Sequence, residues 1–252
     1  MIKLFRNIRK QLLNQGKTTN YLKYAVGEIV LVVIGILIAL QINNWNQNRN
    51  NTAEELKILK SCKTGLEIDL EDIDHNIKRH KNSIASTDLI LQMLKDNKKY
   101  DDSVAYHFSK IMLPTFFVHS TSAFETLKAK GIDIVSNEIL RNKIIQVYDN
   151  GYTFFLEFEK DHNNQYTWGL NTIFNTRFED SFYYDVSSAS LSGKIIPLNF
   201  DSLKNDQEFL YYLKSLRNRN IVFINFQYKK LRILVVELIA LLDKEIKKIE
   251  AS

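Results

Sequence analysis

Apolar positions follow three rhythms along this chain, and each predicts a different element. Over Ala25–Ile42 they are nearly continuous: AVGEIVLVVIGILIALQI has Glu28 and Gln41 as its only strongly polar members. At 1.5 Å per residue the stretch covers roughly 27 Å, about the hydrocarbon thickness of a bilayer, and predicts a transmembrane helix. Tyr21 and Tyr24 before it and Trp45 after it stand where aromatic residues anchor at the membrane interface. A seven-residue rhythm follows. Leu56, Leu70, Ile77, Ile84 and Leu91 hold one register and Leu59, Leu66, Ile73 and Leu94 another, with Lys63, His80 and Thr87 as polar exceptions. This predicts a long helix with a coiled-coil-like seam, opened by the capping box Thr52-Ala53-Glu54-Glu55 and closed by Asn97-Lys98-Lys99. The Asn43–Asn51 run NNWNQNRNN is made of poor helix formers and reads as a link between the two helices.

The third rhythm is that of packed amphipathic helices. One runs from about Asn137, with Leu140, Ile144, Val147, Gly151, Phe154 and Phe158 on its apolar face, past His162 toward Ile173 and Phe174. Gly151 and Gly169 are its weak points. Another begins near Asn205, with Glu208 at capping-box spacing, and runs to about Ile249; its apolar run Ile233–Leu242 is too short for a second span. Shorter pieces lie between. Asp101 or Asp102 caps a helix through Met112, Pro114 stops it, and Leu113–Val118 is extended. Ser122-Ala123-Phe124-Glu125 opens a short helix that Gly131 ends. Ser187–Asp201 is a loop with a candidate short strand at Lys194–Ile196. The expected fold is all-α: a basic segment over 1–24, a transmembrane helix over 25–45, a link over 46–52, and an elongated exported bundle of long antiparallel helices over 53–252.

Charge sharpens the topology. The formal net charge is +5, but Lys3, Arg6, Arg9, Lys10, Lys17 and Lys23 all fall before the span with no acid among them. The remaining residues carry a net −1. The basic excess therefore marks the cytoplasmic end of an inner-membrane anchor, with the bulk of the chain periplasmic, and gives no reason to expect nucleic acid. In MIKLFRNIRKQLL, Ile2, Phe5, Ile8 and Leu12 share a helical face that could lie on the inner leaflet. A cleaved signal peptide is the alternative, against which stand the long basic region and the poor cleavage site Ala39-Leu40-Gln41-Ile42. Within the span, Glu28, Gly35 and Ala39 share one side and are the candidates for a helix–helix seam.

Two segments carry a family resemblance. YLKYAVGEIVLVVIGILIALQINNWN, preceded by the basic MIKLFRNIRKQLL, resembles the opening of a family of uncharacterised single-pass inner-membrane proteins of Bacteroidota. FETLKAKGIDIVSNEILRNKIIQVYDN is similar to that family's second recurring block. The resemblance implies a helix-rich exported domain on an inner-membrane anchor and brings no catalytic residues with it.

Candidate chemistry is sparse. Asp72-Ile73-Asp74-His75 and Glu159-Lys160-Asp161-His162 each supply a carboxylate-x-x-His fragment of the kind used in di-iron bundles. A solvated His75 and a hydrogen-bonded, partly buried His162 explain the same residues without a metal. Lone Cys62 has no local histidine, and no phosphate loop, nucleophile elbow or paired Cys-x-x-Cys occurs. No catalytic residue, cofactor or metal is assigned. The helix from Asn137 and its exit are instead crowded with aromatic residues on more than one face, and Tyr152, Phe155, Trp168 and Tyr183 are its interface candidates. The expected function is a non-enzymatic, membrane-anchored scaffold or interaction protein that binds an envelope partner or itself. A sensory, ligand-binding exported domain and, more remotely, a metal-dependent enzyme are the alternatives.

Overall fold

The computed structural model describes residues 18–182 and 193–251. The amphipathic segment over 1–13 and the interface candidate Tyr183 lie outside the described residues. The chain is all-α, and α1 is a single helix from Thr18 to Lys95. The expected link and the fresh start at Thr52 are thus corrected, because the Asn-rich run is helical. Asparagine costs only about 0.7 kcal/mol per residue at most in a helix, whereas a nucleated helix gains a hydrogen bond for each residue it adds. Arg49, one turn past Trp45, also lies 5.9 Å over its ring.

Two compact units divide between Glu54 and Glu55. In the first, the apolar stretch beginning at Ala25 has none of its side chains buried, and it is long and apolar enough to be a candidate membrane span. Gly35 has nothing within 4 Å of the place a Cβ would occupy, and Ala39 is exposed.

The second unit holds the remaining helices: α2 (Ser103–Met112), α3 (Ser122–Lys130), α4 (Glu138–Ile145), α5 (Thr153–Thr172), α6 (Phe200–Leu203), α7 (Gln207–Val222) and α8 (Lys229–Glu250). A π-helical turn over Gln146–Tyr152 joins α4 to α5, and a second over Phe223–Tyr228 joins α7 to α8. Caps fall where polar side chains reach the first free amides. Asn137 accepts from Leu140 N, and Asp206, rather than Asn205, accepts from Phe209 N. Helix α3 starts after Thr121 with no side-chain cap, so the Ser122 capping box does not form. Gly131, at φ +96°, closes that helix in a conformation only glycine adopts freely. Among the described residues no strand forms at the expected Lys194–Ile196, and the pairing nearby is an isolated antiparallel bridge between Phe178 and Pro197.

The apolar core is split in two. One cluster gathers Leu59, Leu66 and Ile73 of α1 with Phe155, Phe223, Tyr228, Leu238 and Leu242. The other gathers Ile90 and Leu94 of α1 with Phe108, Tyr166, Phe174, Phe209 and Leu216. Helices α1 and α5 pass from one cluster to the other, α7 runs from the second to the edge of the first, and at the crossing their buried positions turn polar: Asn76, His80, Ser83 and Thr87 on α1, Glu159 and His162 on α5, and Asn220 on α7. The bundle therefore holds a polar layer between two apolar cores.

Candidate functional site

The polar layer begins with a strap. Leu113–Ser120 is neither helix nor strand, beginning with Leu113 in extended geometry, and among the described residues no strand pairs with it, so its backbone groups need other partners. Helix α1 satisfies the even positions. Arg79 Nη2 donates to Pro114 O (3.1 Å) and Asn76 Nδ2 to Phe116 O (3.1 Å). Asp72 Oδ2 accepts from Val118 N (3.1 Å) and Asp69 Oδ1 from Ser120 N (2.7 Å). Helix α5 satisfies Thr115 and Phe117 on the other edge. Asn163 Nδ2 donates to Thr115 O (2.7 Å), and both oxygens of Glu159 accept from Phe117 N (3.0 Å). Residues 69, 72, 76 and 79 share one helical face, and alternate residues of an extended chain face opposite ways, so two helices can grip both edges of one strap. At Ser120 the strap crosses Gly65, where an added Cβ would stand 3.1 Å from the serine Oγ.

Beneath the strap the side chains form a directed chain. Asn220 Oδ1 can only accept, and three donors converge on it at 2.9 Å: His80 Nδ1, His162 Nε2 and Tyr166 OH. That fixes the His80 proton on Nδ1 and leaves Nε2 to accept from Thr115 Oγ1 (2.9 Å). Tyr228 OH lies 3.3 Å from both Thr115 Oγ1 and Glu159 Oε1, and Asn220 Nδ2 donates onward to Ser83 Oγ (3.2 Å). Burial, first among the causes, pushes His80 down to about 3 and His162 down to about 4, so both rings are neutral at pH 7. Burial likewise raises Asp69, Asp72 and Glu159, each opposed by the hydrogen bonds it accepts.

The sequence candidates distribute unevenly over this site. His162 is in the layer and buried, whereas His75 is exposed on α1, so the two carboxylate-x-x-His fragments do not meet. Among the described residues no three His, Cys, Asp or Glu side chains gather as metal ligands. Cys62 is buried, which pushes its thiol up to about 11 and away from nucleophilic duty. Tyr152 and Phe155 need correction as interface candidates: both are buried, Tyr152 donating to Asp69 Oδ2 (2.5 Å) and Phe155 stacking on Phe223 (5.5 Å). Phe154 and Phe158, read from periodicity as core, are exposed instead.

The π turn explains the exchange. Its wider turn accommodates an extra residue, which rotates everything after it relative to an α-helical wheel. The buried face accordingly passes from Leu140, Ile144 and Val147 to Tyr152, Phe155, Glu159 and His162, one residue out of step with the 147–151–154–158 series. Asn220 and His80 were the functional residues that periodicity missed; His80 was visible only as a polar break in an apolar register.

On the outside of the layer, Phe154 and Phe158 pair at 4.7 Å beside Val222 of α7, and Lys230 lies 5.2 Å over the Phe154 ring. Half-exposed Trp168 lies further along α5, and Phe226 protrudes from the second π turn. A groove of about 550 Å³ runs between the first π turn, the start of α5 and α8, lined by Gly151, Phe154, Gln227 and Leu234. A cavity of about 350 Å³ adjoins it, lined by Phe158, Asp161, His162, Asn218, Arg219, Val222, Phe223 and Gln227. Gln227 lines both.

Residues 28–177 match the family of unknown function DUF6090. The chain belongs to that family. The DUF6090 match takes in all but the first three residues of the apolar stretch, the strap, His80 and His162, and stops before α7 and α8, with Asn220 and Val222. No curated protein and no solved structure matches the chain.

Proposed function

We propose that this protein is a non-enzymatic scaffold of an inner membrane. A single span anchors it with its N-terminus cytoplasmic, and its exported helical bundle binds a protein partner or a second copy. The single observation that carries the binding role is the exposed pair Phe154 and Phe158, which with Val222 lines two adjoining hollows. Side chains of this size left half in water, contiguous and rimmed by charge, mark interaction surfaces more than they serve folding. The span and the basic segment before it support the anchor and its orientation. The buried polar layer serves a different end, fixing one arrangement of helices, because His80, Thr115, Tyr166 and Asn220 find their partners only in this packing.

The test is a photo-crosslinking residue at Phe158 of the full-length chain in native membranes. A discrete adduct is expected, abolished by Phe154→Asp without a change in thermal stability. No adduct, or one indifferent to Phe154→Asp, overturns the reading. Within the span, Glu28, Gly35 and Ala39 are the proposed second contact, and Glu28→Leu with Gly35→Ile should remove intramembrane crosslinks.

A further inference from the structure

His162 is the one residue that belongs both to the polar layer and to the lining of the 350 Å³ cavity. Its ring is held on two sides: Phe223 stacks on it at 4.3 Å and Nε2–H is committed to Asn220. With the proton on Nε2, the other nitrogen, Nδ1, carries a lone pair. Nδ1 makes no hydrogen bond among the described residues, and it is not among the side-chain atoms sealed from solvent without a partner. It therefore opens on the cavity. His162 is otherwise 96 % buried, so this is a fixed acceptor in the wall of an aromatic hollow.

We propose that this cavity receives a tyrosine side chain of the protein that docks on the α5–α8 face, its phenol donating to His162 Nδ1 and its ring lying among Phe158, Val222 and Phe223. The inference rests on the reading of that face as an interface and names the chemistry that anchors it. A volume of about 350 Å³ sits near the lower end of sites that hold organic groups. A phenylalanine would fill it but leave the acceptor unmet. An indole N–H could donate, but only a hydroxyl can also accept, and the side-chain amides of Asn218 and Gln227 line the same space as donors. The rim carries the Arg219–Asp161 ion pair (3.0 Å), which leaves neither charge free to demand a charged guest. Tyrosine anchors of this kind, apolar in body with one buried hydrogen bond, dominate binding energy in protein interfaces.

The experiment uses p-cresol and toluene, the side chains of tyrosine and phenylalanine, titrated into full-length protein in nanodiscs and read at the imidazole ¹⁵N resonances of His162. Cresol is expected to shift Nδ1 at saturation and to bind about tenfold tighter than toluene, the worth of one buried hydrogen bond. Val222→Trp, a substitution at an exposed position on the cavity lining, should abolish the shift while the fold is kept. Equal binding of the two probes, no shift by cresol, or a shift that survives Val222→Trp overturns the proposal. The two readings separate by outcome. A Phe158 adduct without cresol binding removes the tyrosine anchor alone. Cresol binding without an adduct removes the interface, and with it the partner's tyrosine.

Discussion

Helix α1 contains two stretches that invert the usual rule of burial. From Ile29 to Ile42 it is almost wholly apolar and wholly exposed; from Asn76 to Thr87 the positions it buries are Asn76, His80, Ser83, Ser86 and Thr87, all polar. The same helix thus answers to two surroundings. An apolar surface without protein neighbours is stable only if something other than water covers it. A polar surface inside protein is stable only if each group finds a partner. The first demand is met by composition and is indifferent to order. The second is met by position, since Asn220, Thr115 and Ser83 must arrive at set distances from His80 and from one another. The comparison predicts that the first stretch tolerates any apolar exchange and no charge, and that the second tolerates almost no exchange at all.

The largest effect expected is on the apolar stretch. Ile34→Arg together with Leu37→Arg puts two charges at its centre, at about 3 kcal/mol each for membrane insertion. The variant should leave the carbonate-resistant membrane fraction, whereas Ile34→Leu with Leu37→Ile should stay in it. Retention of the arginine variant would show that lipid does not cover this stretch. In the polar layer, Asn220→Leu keeps the volume and strands three donors, on His80, His162 and Tyr166. A loss of about 4 kcal/mol in urea unfolding is expected. A loss under about 1 kcal/mol would mean that the layer repacks as freely as a membrane surface, and the contrast between the two stretches would collapse.

These contrasts also mark what could be read in advance. The apolar stretch was legible because its signal is one of composition, and the helical class because periodicity reports it over long runs. The link at Asn43–Asn51 was misread, since propensity is weak against helix continuing from both sides. The exposed pair Phe154 and Phe158 was misplaced because a π turn is invisible to a 3.6-residue wheel. Gly151 within that turn was the only hint, and it read as a weak point in an ordinary helix. Of the polar layer, His162 stood out by its motif and His80 as a break in register. Asn220, on which both converge, had no local signal, because its role exists only once α1, α5 and α7 are side by side.

Acidity sharpens the comparison by acting on the layer and sparing Ile29–Ile42, which holds no titratable side chain. His80 and His162 are held below the ordinary value of 6.5, so folding excludes protons from both. Their contribution is complete above about pH 6.5 and is lost as pH falls from there, toward about 4 for His162 and about 3 for His80. At pH 5 the loss is about 2 kcal/mol for each ring. Asp69, Asp72 and Glu159 have the opposite sign, since a raised carboxyl takes up protons in the fold and gains stability as pH falls through its folded value. Urea midpoints should therefore drop between pH 6.5 and 5, the window in which the histidine term acts ahead of the carboxyls. A flat profile from pH 7 to 5 would show that the histidines are not neutral in the fold.

The smallest effect tests the strap, where the layer meets the surface. Asp72 accepts from Val118 N at an exposed position and from Asn76 Nδ2 (2.9 Å), so Asp72→Ala frees one amide that water can reach. Glu159 accepts from Phe117 N, the next amide along, but there the site is buried. About 1 kcal/mol is expected for Asp72→Ala and about 3 kcal/mol for Glu159→Ala, although each removes one carboxylate from the same short segment. Hydrogen exchange carries the sharper reading. Asp72→Ala should accelerate exchange at Val118 N and leave Phe117 N protected, because alternate edges of the strap are held by different helices. Coupled loss of both amides would show that the strap opens as one piece, and that its two edges are not gripped independently by α1 and α5.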